Sequence, residues 1–218
     1  MSKPFSLPEA MHHYLEERNT PPDAAQSALR EETSHLANAG MRFNHESALM
    51  LQLIVQVQRP MFVVEVGTFT GYSSLTITRA LPAGGRMLCC DVSEEWTAIA
   101  RRHWQAAGVD DRIELRIGPA IETLRALPSE PAVDFAVIDA DKPGYVDYYE
   151  ELVPRLSPHG LIAVDNTMWS GSVIDASDTS EGTAALRQFN DHVAADSRTT
   201  NVTIPIGDGV TLIGLSGQ

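Results

Sequence analysis

The spacing of apolar positions changes character at Pro60. Before it, Leu29 and Leu36 share one side of a stretch of good helix formers. Leu49, Leu53 and Gln56 do not alternate as a strand would, so this region is expected to be helical. Ser6-Leu-Pro-Glu9 fits a capping box for a short first helix. Thr20-Pro21-Pro22 ends that helix and offers a cap-and-proline start for a second, which runs to about Ala39 with Gly40 as its stop. A third is predicted from about His45 to Gln58, closed by Pro60. After Pro60, short β-branched runs alternate with amphipathic stretches. Strands are predicted at Phe62–Val66, Met87–Cys90, Ile113–Ile117, Phe135–Ile138 and Leu161–Val164. Helices are predicted at Tyr72–Leu81, Glu94–Ala107, Ala120–Leu127 and Tyr145–Leu156. That alternation implies right-handed crossovers and a mainly parallel sheet. The tail departs from it: a helix near Glu181–Ala195, then Thr199–Ile204 and Val210–Leu215 around Gly207-Asp-Gly209, an antiparallel hairpin.

Composition narrows the partners. The chain has 218 residues, suited to one domain, here taken as 1–218 with 1–40 as a helical arm. There are 16 basic against 29 acidic residues, a net charge of −13. Nucleic acid and anionic membrane surfaces call for the opposite balance and are not expected as partners. Cys89 and Cys90 are adjacent in a predicted strand, so they point to opposite faces and read as two buried thiols of a reducing cytoplasm. No apolar stretch has the length of a membrane span.

Ligands of open α/β sheets sit beyond the carboxyl ends of the strands, so those ends hold the candidate chemistry. The first gives Glu65-Val-Gly67-Thr-Phe-Thr-Gly71-Tyr-Ser73. Its two glycines suit a tight turn, but Phe69 stands where a dinucleotide fingerprint has its second glycine, which weighs against NAD or FAD. The second strand ends at Asp91, an acid 26 residues after Glu65 that is placed to accept from ribose hydroxyls. The alternative is a helix-capping role before Ser93. Gly118-Pro-Ala120 offers a backbone amide to an adenine edge. Asp139, Asp165 and Asn166 close two further strands, three hard oxygen donors that suit Mg²⁺ with open positions left for water and substrate. Lys142 follows, either as a base or as a surface partner of Asp141. His12, His13 and His45 read as solvated, His103 and Trp104 as half-buried packing, and Tyr145, Tyr148 and Tyr149 mostly as packing, with Tyr145 a candidate pocket residue.

From about Gly40 onward the chain resembles the cation-dependent class I O-methyltransferases that use S-adenosylmethionine, the caffeoyl-CoA and catechol O-methyltransferase group. The resemblance rests on Gly40-Met-Arg-Phe43, Val64-Glu-Val-Gly67 with Thr70-Gly-Tyr-Ser73, Gly118-Pro-Ala120, Ile138-Asp-Ala-Asp-Lys142, Val164-Asp-Asn-Thr-Met-Trp169 with Gly171-Ser-Val173, and Gly207-Asp-Gly209 with Thr211-Leu212. It implies a Rossmann-like α/β fold: a seven-stranded, mainly parallel sheet with helices on both faces and a reversed C-terminal hairpin. It further implies that Phe43, Glu65, Gly67, Thr68, Ser73, Asp91, Ala120, Asp139 and Asp141 contact S-adenosylmethionine, and S-adenosylhomocysteine after reaction. Asp139, Asp165 and Asn166 match ligands of a divalent metal, Mg²⁺ foremost with Ca²⁺ or Mn²⁺ as alternatives. Lys142 matches the general base, and Trp169 and Ser170 border the acceptor. Ser170 stands where the plant enzymes have Asn, and Phe43 replaces a smaller residue.

The expected activity is methyl transfer to one hydroxyl of a vicinal diphenol, an aromatic small molecule, by a cytoplasmic homodimer. The rivals are methylation of carbon or nitrogen on the same fold and a nicotinamide-dependent dehydrogenase. Methyl transfer from a sulfonium is an in-line displacement, and a chelated, ionised hydroxyl aimed at the methyl carbon satisfies it.

Overall fold

β-branched apolar runs buried on both faces can pair only in a sheet covered by helices on both sides. The computed structural model, which describes residues 8–130 and 132–217, has this form. Strands β1 (Phe62–Val66), β2 (Arg86–Asp91), β3 (Ile113–Ile117), β4 (Val133–Ile138), β5 (Leu156–Val164), β6 (Thr199–Ile204) and β7 (Val210–Leu215) form one sheet in the order β3-β2-β1-β4-β5-β7-β6. The first five run parallel, and β7 runs antiparallel to both β5 and β6. Around it lie α1 (Glu9–Arg18), α2 (Ala24–Ser34), α3 (His45–Gln58), α4 (Tyr72–Ala80), α5 (Glu94–Ala106), α6 (Ala120–Arg125), α7 (Tyr145–Leu152) and α8 (Glu181–Ala195).

The sheet divides the apolar interior in two. Leu29, Leu51, Leu75 and Trp104 of α2–α5 pack on one face. Leu124, Tyr149, Leu152 and Phe189 of α6–α8 pack on the other. Cys90 belongs to the second cluster and Cys89 to the first, so neighbouring thiols do point apart, and both are buried and unbridged. Burial raises both thiols, Cys90 to about 12.

Several predicted boundaries move. The start of α2 is capped by Asp23, which accepts from the amides of Ala25 and Gln26 while Gln26 reaches back, so Thr20 is not the cap. α2 stops at Ser34, and a 3-10 turn at Ala39–Met41 replaces its expected last turns. α7 ends at Leu152 rather than Leu156: Pro154 cannot donate to a continued helix, a 3-10 turn follows, and Leu156 opens β5 instead. The capping box expected at Ser6 lies outside the described residues. His45 is not simply solvated, since its ring bridges the Thr20 carbonyl and the Tyr72 hydroxyl. Trp104 is buried outright, and His103 pairs with Glu32.

Candidate active site

The carboxyl ends of β1, β2, β4 and β5 open into a cavity of about 1090 Å³, closed by Gly40–Asn44 on one side and by the Gly207-Asp208 turn on another. Two glycines shape the turn at its floor, Gly67 in the lining and Gly71 behind it. Gly67 has φ +89°, and a Cβ there would lie 2.0 Å from the Asp139 carbonyl, so the ends of β1 and β4 approach as closely as backbone allows. Gly71, at φ +83°, has no room for a side chain beside Ala100 and Trp104. Phe69 takes φ +52° in the same turn, a left-handed conformation that glycine would adopt without cost. Its ring packs edge to face on Trp96 at 5.1 Å, and its amide is fixed by Asp91.

Asp91 is largely committed to this turn. Oδ2 accepts from the amides of Thr68 (2.9 Å) and Phe69 (2.7 Å), and Oδ1 accepts from Ser93 N at 2.8 Å. A carboxylate has about four acceptor positions, so one remains on Oδ1 for a ligand hydroxyl. The cap of α5 is Ser93, whose Oγ accepts from Trp96 N, not Asp91. Glu65 is fully buried behind the cavity wall and meets it through Ser73, whose Oγ donates to Oε1 at 2.6 Å. Its Oε2 is buried without a partner, as is Thr68 Oγ1. Burial pushes the Glu65 carboxyl up to about 7. Phe43 and Ala120 line the cavity from the strap after α2 and from the start of α6.

Lys142 is the centre of the second half. Its Nζ donates to Asn166 Oδ1 (2.7 Å), Asp139 Oδ1 (3.3 Å) and Tyr145 Oη (2.5 Å), and lies over the Trp169 ring 5.5 Å from its centroid. Lys142 therefore does not pair with Asp141, which accepts from the Tyr148 hydroxyl at 2.6 Å. Asp165 stands beside them; burial and the neighbouring Asp139 charge raise its carboxyl, while Asp139 is raised by its own burial. One carboxylate and one amide oxygen, of Asp139 and Asn166, thus meet on one cation, the ammonium of Lys142, with the buried Asp165 carboxylate next to Asn166. A hard divalent ion fits the same donor chemistry.

The residues after β5 hold an unusual backbone. Asn166, Trp169 and Ser170 have positive φ, and Gly171 follows at +87°. Asn tolerates this region through its short polar side chain; Ser170 sits there with its amide bonded to the Asp208 carboxylate. The loop is tied to the hairpin turn by Thr167 N to Gly209 O and Met168 N to Asp208 O, both 3.0 Å, and Asn190 donates to the Thr167 carbonyl. Sequence reasoning missed some of this site. Tyr148, not Tyr145, lines the cavity, and Tyr145 is buried beneath it, donating to the Asp165 carbonyl and contacting Lys142. Their helical spacing after Lys142 was the available signal, but spacing does not say which ring faces in.

A parallel sheet with a reversed hairpin, a glycine turn above an acid at the end of β2 and an oxygen-rich pair of strand ends define a Rossmann-like α/β protein with its ligand site beyond the strand ends. Comparisons give the particular class. The O-methyltransferase family model matches residues 18–215. The chain belongs to this family of S-adenosylmethionine-dependent O-methyltransferases. It is 42% identical over 172 residues to "Probable caffeoyl-CoA O-methyltransferase 2" of Dictyostelium discoideum, covering 77% of this chain and 74% of that one. It is 32% identical to the caffeoyl-CoA O-methyltransferase of Eucalyptus gunnii, covering 94% and 86%. The structure of an O-methyltransferase from Bacillus cereus in complex with SAH superposes with a TM-score of 0.84 at 28% identity, covering 95% and 97%. The dehydrogenase alternative falls away with this membership.

Proposed function

We propose that the enzyme methylates one hydroxyl of a vicinal diphenol, with S-adenosylmethionine as donor and a divalent cation held by Asp139, Asp165 and Asn166. The observation that supports it most is that all three oxygen-bearing side chains line the cavity at the ends of β4 and β5, two of them already holding the Lys142 ammonium. When bound, Mg²⁺ or a similar ion supplies positive charge that favours the ionised hydroxyl of the acceptor. The rest of the chemistry falls to the chain's own residues. Lys142, once its own proton has passed to solvent, takes the hydroxyl proton as the neutral amine, and Tyr145 Oη holds that nitrogen in place. Trp169 and Ser170 flank the acceptor ring. Asp91 accepts from a ribose hydroxyl of the donor and Ala120 meets its adenine. The free oxygen of Glu65, with Ser73, Gly67 and Thr68, suits the donor's ammonium end. Phe43 closes over that end, and Asp141 borders the donor beside Tyr148.

The whole chain is read as one methyltransferase domain, with 1–40 assigned to an N-terminal arm. Exposed Leu53 and Val57 on α3 support a homodimer, and two unbridged thiols support a cytoplasmic setting. Among the described residues no helix is long and apolar enough to cross a membrane. The deciding assay is turnover of a catechol by metal-stripped enzyme in excess chelator. Activity should fall to background and return on adding Mg²⁺; full activity in chelator overturns the metal role.

A further inference from the structure

A second, smaller cavity of about 390 Å³ lies between α2 and the turn after it, lined by Ser27, Arg30, Glu31, Ser34, Ala39 and Arg42. Arg42 also lines the methyl-transfer cavity, so the two spaces share this residue in their walls. Two arginines thus line one space, close enough for their charges to interact. Desolvation, and then the charge of Arg30, hold the Arg42 guanidinium below its ordinary value, and Glu46 opposes this more weakly. In a chain with 29 acids against 16 bases, such a pair is expected to acquire carboxylate partners. It does not. The acids of α2 are engaged elsewhere: Asp23 with Arg79 and Glu32 with Arg102. Glu31, the one acid in the cavity wall, faces His35 at 3.4 Å.

Among the described residues Arg30 enters no ion pair, and Arg42 donates from Nη1 only to the Phe43 carbonyl, at 3.0 Å. Arg42 is held in place by the Tyr72 ring, 5.2 Å from the guanidinium carbon to its centroid. The Tyr72 hydroxyl donates to His45 Nδ1 (2.8 Å), because His45 Nε2 is spent on the Thr20 carbonyl, so this ring is a neutral platform and not a counter-ion. The hydroxyls of Ser27 and Ser34 already donate to main-chain carbonyls. The unused donors in this cavity are therefore those of the two arginines, whose planar forks match carboxylate and phosphate oxygens.

We propose that Arg30 and Arg42 form an anion-binding subsite that receives a carboxylate or phosphate group carried on the acceptor, where the small cavity and the methyl-transfer cavity share Arg42 in their walls. The assignment rests on the reading that the acceptor enters the larger cavity. It predicts an enzyme that favours catechols bearing an anionic tail over neutral ones.

Two measurements test it, one independent of turnover. In the first, inorganic phosphate is titrated calorimetrically into the intact protein, with Arg30→Gln as control. Millimolar binding that the variant loses by about tenfold, the scale of one half-buried charged contact, supports the subsite; equal binding by both proteins overturns it. In the second, steady-state kinetics compare catechols with carboxylate, phosphate and neutral tails. Arg30→Gln should raise KM about tenfold for the anionic acceptors only, leaving kcat and donor KM unchanged, and Arg30→Lys should restore most of the loss. Phosphate should compete with the anionic acceptors. An unchanged preference, or a rise in donor KM instead, overturns the assignment, the latter by giving the arginines to the donor's carboxylate. If no catechol is turned over at all, the functional reading fails while the phosphate titration still decides the subsite.

Discussion

Lys142 is the residue on which the proposed base and cation site meet, because its one ammonium touches Asp139, Asn166 and Tyr145. Lys142→Ala should lower the maximal rate by about 10²–10⁴-fold and leave donor affinity unchanged in calorimetry. Raising the pH should recover part of the rate, since hydroxide then takes the proton; a near-normal rate at neutral pH would remove Lys142 from the chemistry. Glu65 gives a stability prediction. Its carboxyl is raised from 4.5 to about 7 in the folded chain. The folded state therefore holds a proton that the unfolded state has released, and stability falls as pH rises through that window. In denaturant titrations from pH 4.5 to 8, Glu65→Gln should lack that decline, which is on the order of 2–3 kcal/mol. Parallel profiles for the two proteins would refute it. At this scale the sequence conveyed which acids end the strands, since short polar residues after β-branched runs stand out. It was silent on the amides of Thr68 and Phe69 that occupy Asp91, because backbone donors have no letter in the sequence.

At the scale of elements, β-branched runs made the parallel strands readable, and all five fall where expected, with ends shifted by a few residues. What was not readable depended on backbone chemistry of a second order. Pro154 cut α7 short, and Asp23 displaced Thr20 as a cap by accepting two amides. The left-handed run at Trp169–Gly171 has no propensity signature at all, since Trp and Ser rarely adopt it; contacts from the neighbouring hairpin impose it. That loop is consequently a brace between two elements. Asp208→Ala removes the acceptor for the Ser170 amide. It should raise acceptor KM about two- to tenfold, the worth of one hydrogen bond, with donor affinity intact. Equal weakening of donor and acceptor would mean that the loop serves the whole cavity.

On the scale of the molecule, the alternation of strand and helix predicted the two-faced layering, and the positions of Cys89 and Cys90 in opposite clusters follow from it. The net charge of −13 argued against polyanions as partners, yet it concealed a local exception, because a sum over the chain cannot register that two arginines share a cavity. The order of strands across the sheet was not legible in the sequence, since no local pattern places β7 between β5 and β6.

That placement has a consequence for biosynthesis. β7 is the last strand in chain order, yet it fills an interior position, and the turn before it forms one wall of the catalytic cavity. While the nascent chain is still emerging, β5 presents an unpaired apolar edge, and the loop after it lacks the turn that sets its shape. β6 pairs with β7 alone, so the hairpin docks on the β5 edge as a unit, and the sheet edge and the cavity wall are completed in the same event.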